Sequence, residues 1–202
     1  MNLYHGVNIV LASTSPRRHE ILGMMGIPHV VVPSETDEYN KEIFPDKMVE
    51  ELSRRKCHVV YQRILKENTY GSDPFLVIGA DTVVSKDGVI FGKPANKENA
   101  YRMLSKLAGG VHQVYTGVTV MGNLGSVRIS ETCSEKSEVH VAPMDYSEIW
   151  EYIETGDPMD KAGSYGIQGF FSRYIDHIDG DYFNIVGLPA HRVYQELKKI
   201  LG

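Results

Sequence analysis

One stretch constrains this chain more than any other: Phe75–Pro94, reading FLVIGADTVVSKDGVIFGKP. It opens as a long, almost wholly apolar strand, yet Asp81 sits inside it, and a carboxylate is expensive to bury unless it is paired or metal-bound. Lys86-Asp87-Gly88 reads as a three-residue hairpin loop, with Gly88 in the left-handed position of a bulge. That register sets Ser85 opposite Val89 and Asp81 opposite Lys93, whereas a two-residue loop sets Thr82 opposite Lys93. In either case the Asp81 carboxylate, the Thr82 hydroxyl and the Lys93 ammonium meet at one end of the hairpin. A salt bridge alone would account for the meeting, but Gly79 and Gly92 flank the pair and leave room for something to approach closely.

Around this hairpin, strands and helices alternate. Asn8–Ala12 reads as a short buried strand, Ser15–Met25 as a helix and His29–Val32 as a second strand. An acidic loop leads into a helix from about Pro45 to Leu65, and a further helix, Asn96–Ala108, is closed by Gly109-Gly110. Gln113–Met121 and Val127–Val141 form a β pair across a glycine-containing turn. Asp145–Thr155 is a helix with a capping pair, Asp145 and Glu148. A glycine-rich loop follows, then strands around Tyr174 and Ile185, and a last helix from about Pro189 to Leu201. This mixed alternation predicts an α/β protein. No repeat, low-complexity tract or linker divides the chain, so residues 1–202 read as one domain.

Three further segments carry chemistry. In NIVLASTSPRR a strand runs directly into a helix, with Ser15 at the N-cap and Pro16 at the first helical position. Arg17 and Arg18 then fall in the first turn, where each cation costs about 0.3–1 kcal/mol against the helix dipole. Free N–H groups, the hydroxyls of Ser13 and Ser15 and two guanidiniums together make a receptor for phosphate oxygens; ion pairs with surface carboxylates are the plainer alternative. Lys56 interrupts the apolar stripe of its helix, four residues after Leu52 and four before Val60. It must snorkel, find an acid, or point into a cavity. In the late loop, DKAGSYGIQG from Asp160 to Gly169, small residues let backbone approach a ligand, and the Gln168 amide can both donate to and accept from a base edge.

The same reading removes several classes. The net charge of −5 offers no general attraction for nucleic acid. No apolar run approaches the roughly 18 residues of a spanning helix, and the N-terminal stretch lacks the pattern of a secretion signal. Two cysteines, Cys57 and Cys133, make neither a disulfide framework nor a metal knuckle. The expectation is a cytoplasmic protein that binds neither membrane nor nucleic acid. No G-x-x-x-x-G-K-[ST] occurs, which argues against a P-loop ATPase, and no histidine spacing suggests zinc. The acidic run Ser34-Glu35-Thr36-Asp37-Glu38, taken with Asp81, offers oxygen ligands of the kind Mg²⁺ prefers.

Together these segments resemble the Maf family of nucleoside triphosphate pyrophosphatases. The matching stretches are LASTSPRR (11–18), Glu38, Lys56, GADT (79–82), GKP (92–94), DKAGSYGIQG (160–169) and VGLP (186–189), in family order over nearly the whole chain. The resemblance implies an elongated mixed-sheet α/β fold, related to inosine triphosphate pyrophosphatases, with two lobes, a cleft between them and a homodimeric state. It implies cleavage between the α- and β-phosphates of a nucleoside triphosphate with Mg²⁺, Mn²⁺ being able to substitute. By match, Asp81, Glu38 and Lys93 become catalytic, and Asp81 and Glu38 the metal ligands. Ser13, Arg17, Arg18, Lys56, Thr82 and Gln168 would bind substrate. Arg17, Thr82 and the YGIQG run are similar to the branch that cleaves dTTP and UTP. The sister branch, acting on 7-methyl-GTP, typically has Trp, Gln and a Ser-Glu-Gly ending at these places. Cys57-His58 and Phe170-Phe171-Ser172 depart from the family pattern, the second near the expected base site.

The function so implied is hydrolysis of dTTP and UTP, and of modified pyrimidine nucleotides, in a house-cleaning role. The alternative is a non-catalytic nucleotide-binding regulator of cell division, which would have no need of Asp81, Glu38 and Lys93 together. A haloacid dehalogenase-type phosphatase would need D-x-D-x-[TV], and Ala80-Asp81-Thr82 lacks it.

Overall fold

The computed structural model describes residues 3–36 and 44–202. It is an α/β fold around one seven-stranded mixed sheet, with strand order β2-β1-β3-β5-β6-β7 and β4 paired to β3. The strands are β1 (Asn8–Ala12), β2 (Val30–Val31), β3 (Phe75–Lys86), β4 (Val89–Phe91), β5 (Val111–Leu124), β6 (Val127–Val141) and β7 (Ile175–Asp179). The helices are α1 (Pro16–Met24), α2 (Pro45–Glu67), α3 (Lys97–Leu107), α4 (Tyr146–Glu154), α5 (Tyr182–Val186) and α6 (Ala190–Leu201).

The continuous apolar run of β3 is explained by its place: it is buried on both faces and flanked by neighbours on both edges. Along one edge β5 pairs with it antiparallel from Phe75 to Ser85. The other edge is shared. β1 runs parallel to it and stops where Ala12 faces Gly79, and β4 pairs only from Val84 onward. Among the described residues, no strand pairs with Ala80–Val83 on that side, at the carboxyl end of β1, where open sheets of this kind leave a crevice.

The two faces of the sheet bury separate clusters. Leu11, Ile78 and Val118 join Leu104 of α3 and Leu197 of α6 on one face, while Val10, Val77 and Met121 pack under Cys57, Val60 and Ile64 of α2 on the other. The α2 backbone lies directly on the strands. A Cβ at Gly79 would come within 2.6 Å of the Ser53 carbonyl oxygen, and one at Gly117 within 2.2 Å of that of Val49. The room expected beside Gly79 is thus filled by the protein's own helix, whereas Gly92 has open space around it. Cys57, at this contact, donates its thiol to the Val77 carbonyl, and burial pushes its pKa up to about 12, so it is an unreactive packing residue.

Local sequence signals specify most element ends. Asp145 and Glu148 form a reciprocal capping box on α4, and the Asn96 side chain accepts from the Asn99 N–H at the start of α3. Two expectations need correction. The hairpin loop has two residues: Lys86 faces Val89, and Asp87 (φ 52°) with Gly88 (φ 75°) makes a type I′ turn, whose twist matches that of the strands. Ile185 lies in helix α5, because Asp181 caps that turn by accepting the Phe183 N–H. Phe171 is fully buried against Tyr152, Tyr165 and Tyr174, so the Phe170-Phe171 departure serves the core.

A buried histidine gives this fold a pH limit. His112 is fully buried beside the Tyr165 hydroxyl, at 2.8 Å, and its Nδ1 has no hydrogen-bond partner among the described residues. Burial, with smaller contributions from Lys86 and His140, lowers its pKa from 6.5 to about 4. Between those values the unfolded chain takes up a proton that the folded chain refuses. Stability is therefore full above pH 6.5 and falls as pH drops towards 4, by about 3 kcal/mol from this residue. Urea unfolding at pH 7 and pH 4 is expected to show that component in the wild type and to lose it in His112→Gln.

Candidate active site

The gap beside Ala80–Val83 opens into a cleft of about 640 Å³, within the usual range for a small-molecule site. Its walls are the β1–α1 turn, α2, the β3–β4 hairpin and the loop from Asp157 to Gln168. Each described residue that the sequence singled out lines it: Ser13, Arg17, Arg18, Lys56, Asp81, Thr82, Lys93 and Gln168. Glu38 lies outside the described residues.

Among the described residues, Asp81 and Lys56 form the most enclosed ion pair of this cleft. Lys56 Nζ donates to Asp81 Oδ1 at 2.5 Å, with the two side chains only 12% and 11% exposed. The interrupted apolar stripe of α2 is thereby explained. Because α2 rests on Gly79 and Gly117, Lys56 reaches the strand surface and finds the acid instead of snorkelling. Alternation along β3 puts Asp81 on the α2 face and Thr82 on the opposite face, and both reach the cleft because the strand edge is bare there.

The arginines behave differently from each other. Arg18 is tied into the protein: Nε donates to the Gly187 carbonyl at 2.8 Å, Nη2 to Thr82 Oγ1 at 3.2 Å and Nη1 to Ser13 Oγ at 3.4 Å. Ser13 Oγ also accepts the Ser15 N–H at 3.1 Å, which stiffens the turn into α1. Ser15 occupies the N-cap but makes no side-chain cap bond. Arg17 reaches across the cleft to Asp160 at 3.6 Å, where the carboxylate is 67% exposed. Such an exposed pair contributes little and is readily exchanged for an anionic ligand.

The late loop is stapled, not slack. Lys161 Nζ donates to the carbonyl and a carboxylate oxygen of Asp157 and to Asp160, while Tyr152 donates to Asp157 and accepts the Gly166 N–H. Lys161 and Tyr165 are thus explained by loop stability and packing. Gln168 remains exposed at the cleft rim. One residue that the sequence did not single out also matters here: Thr116 stands behind Thr82. The segment that carries the VGLP run backs the site from the other side, Asn184 accepting from Thr116 and Gly187 supplying the carbonyl that anchors Arg18. Only pairing of β3 with β5, which sets Thr82 opposite Thr116, would have pointed to Thr116.

Among the described residues no group of three or more His, Cys, Asp or Glu side chains is arranged to hold a metal ion. Mg²⁺ asks for less: one or two carboxylates, with water and phosphate oxygens completing the shell. Asp81 fits as such a donor: it is a carboxylate that lines the cleft, and Lys56 contacts it at Oδ1.

With this geometry in view, the comparisons with known proteins agree with one another. Residues 8–200 match the family described as Maf-like protein. A dTTP/UTP pyrophosphatase of Agathobacter rectalis is 48% identical over 198 residues, covering 95% of this chain and 97% of that protein. One from Lachnoclostridium phytofermentans is 45% identical, covering 95% and 94%. One from Thermococcus kodakarensis is 44% identical, covering 93% and 94%.

Proposed function

The chain belongs to the Maf-like protein family, and from that premise we infer that it is a nucleoside triphosphate pyrophosphatase acting on dTTP and UTP. The observation that carries this reading is the convergence of four cations, Arg17, Arg18, Lys56 and Lys93, on one cleft that also holds Asp81. That charge pattern suits a polyphosphate, which overall acidity would otherwise repel.

The triphosphate lies along these cations, with the N–H groups and hydroxyls of the β1–α1 turn completing its cradle, and the base directed towards Gln168. Water attacks the α-phosphorus in line. As the new P–O bond forms, the bond to the oxygen bridging the β-phosphate breaks, and pyrophosphate departs with that electron pair. Lys56 and Lys93 offset the charge it gains, so catalysis is chiefly positioning and charge stabilisation. Asp81 orients the attacking water and takes its proton. Mg²⁺, or Mn²⁺ in its place, when bound by Asp81 and Glu38 supplies polarisation of the phosphate oxygens and a bound water of lowered pKa.

The reading extends to modified pyrimidine nucleotides and includes a homodimer working in the cytoplasm as a house-cleaning enzyme. No helix among the described residues is long and apolar enough to cross a membrane. The decisive experiment is a nucleotide panel with and without Mg²⁺, resolving the products. Monophosphate plus pyrophosphate from dTTP and UTP, with little from ATP or GTP, is the expected result. Release of orthophosphate and a diphosphate would place attack at the wrong phosphorus. Gln168→Glu is expected to change the ranking among bases by about tenfold, through loss of a donor at the base edge. An equal loss with every nucleotide would remove Gln168 from base recognition.

A further inference from the structure

Behind Arg18 a line of hydroxyls runs from the cleft into the core. We propose that Thr116, a fully buried residue of β5 that does not line the cleft, is a positioning residue for Arg18, acting through Thr82. This rests on the nucleotide reading above and extends it to a residue that makes no contact with substrate.

Counting protons fixes the direction of the chain. Thr116 Oγ1 lies 2.9 Å from the Asn184 carbonyl oxygen, which can only accept, so the single Thr116 proton points there. Thr82 Oγ1 lies 2.9 Å from Thr116 Oγ1 and must therefore be the donor in that pair. With its proton turned inward, Thr82 presents a lone pair to Arg18 Nη2, which can only donate, at 3.2 Å. The order is Arg18 to Thr82 to Thr116 to the Asn184 carbonyl, each link polarising the next. The two threonines meet because they are directly opposed in the β3–β5 ladder.

The far end of the chain is itself anchored. Asn184 Nδ2 donates to the Val114 carbonyl at 3.0 Å and to Ser137 Oγ at 2.9 Å. Three residues on, Gly187 accepts the Arg18 Nε–H. One short segment thus receives the last proton of the chain and also grips the guanidinium at its other side. Arg18 enters the cleft already oriented, and a phosphate meets a donor whose rotamer cost has been met by folding. Thr82, its proton committed inward, gives none to a phosphate oxygen and acts on the substrate through Arg18.

The test is Thr116→Val, which keeps the volume and removes the hydroxyl, beside Thr116→Ser, which restores it. The expected result for Thr116→Val is a KM for dTTP raised about tenfold with kcat within about threefold of wild type, and recovery in Thr116→Ser. The Arg18 Nη–H signals in low-temperature ¹H–¹⁵N NMR, assigned by their loss in Arg18→Lys, are expected to lose exchange protection in Thr116→Val and regain it in Thr116→Ser. Should Thr116→Val not fold, Thr82→Val cuts the same chain one link nearer the cleft and must give the same rise in KM. A wild-type KM in whichever variant folds, failure of serine to rescue, or an unchanged Arg18 signal would overturn the proposal. If the wild type hydrolyses no nucleoside triphosphate, the functional reading fails while the NMR comparison still decides the positioning role.

Discussion

Replacing Asp81 with Asn is expected to lower turnover of dTTP by about 10³-fold or more while leaving nucleotide binding largely in place. The substitution keeps the shape of the side chain and removes its charge. Three things change at once. The attacking water loses its proton acceptor, the cleft loses the described carboxylate best placed for a divalent cation, and the contact of Lys56 with a charged Asp81 oxygen at 2.5 Å becomes one with a neutral amide. Removing one negative charge from the cleft lessens its repulsion of the triphosphate, so affinity should hold or rise as kcat collapses. Pyrophosphate release under saturating dTTP gives the first quantity, and calorimetric titration without turnover gives the second. Turnover within threefold of wild type would remove Asp81 from the chemistry.

Gly117→Ala is expected to be strongly disruptive although it touches no charged group. The added carbon would sit 2.2 Å from the Val49 carbonyl oxygen and 2.3 Å from its carbon, both backbone atoms of α2 that have no rotamer by which to yield. The helix must lift from the sheet. Overpacking of this kind costs about 1–3 kcal/mol and sometimes more, or roughly 2–4 °C in Tm per kcal/mol for a chain of this size. Because Gly117 faces Asp81 across the β3–β5 ladder, the same displacement draws Lys56 away from Asp81. Thermal unfolding and kcat should therefore fall together. A variant with wild-type Tm would show that α2 does not rest on the strand there. The matching change at Gly79 meets the Ser53 carbonyl and Cys57 at 2.6 and 2.7 Å and is expected to behave alike.

The two departures from the family pattern have plain structural explanations. Cys57 fills the α2–β3 contact with its thiol on a strand carbonyl, and Phe171 completes an aromatic cluster beneath the late loop. Neither lines the cleft, so neither is expected to alter the choice of nucleotide.

What the sequence by itself determined is what short-range physics controls. The capping box of Asp145 and Glu148, the Asn96 cap, the Pro16 start of α1 and the apolar run of β3 each act within a few residues, where one pattern favours one conformation. The residues of the cleft were legible for a related reason: cations in an unfavourable helix turn, a lysine in an apolar stripe and a carboxylate in an apolar strand each call for a partner. Which partner was a long-range matter. That Lys56 meets Asp81, that Gly79 admits a helix and not a ligand, and that Arg18 is held from Asn184 and Gly187 depend on strand order and on the line along which α2 crosses the sheet. Even the hairpin loop, local as it is, took its two-residue form from the twist and pairing of its strands. Contacts between residues far apart in the chain follow from how all the apolar faces are buried together, and no single segment contains that arrangement.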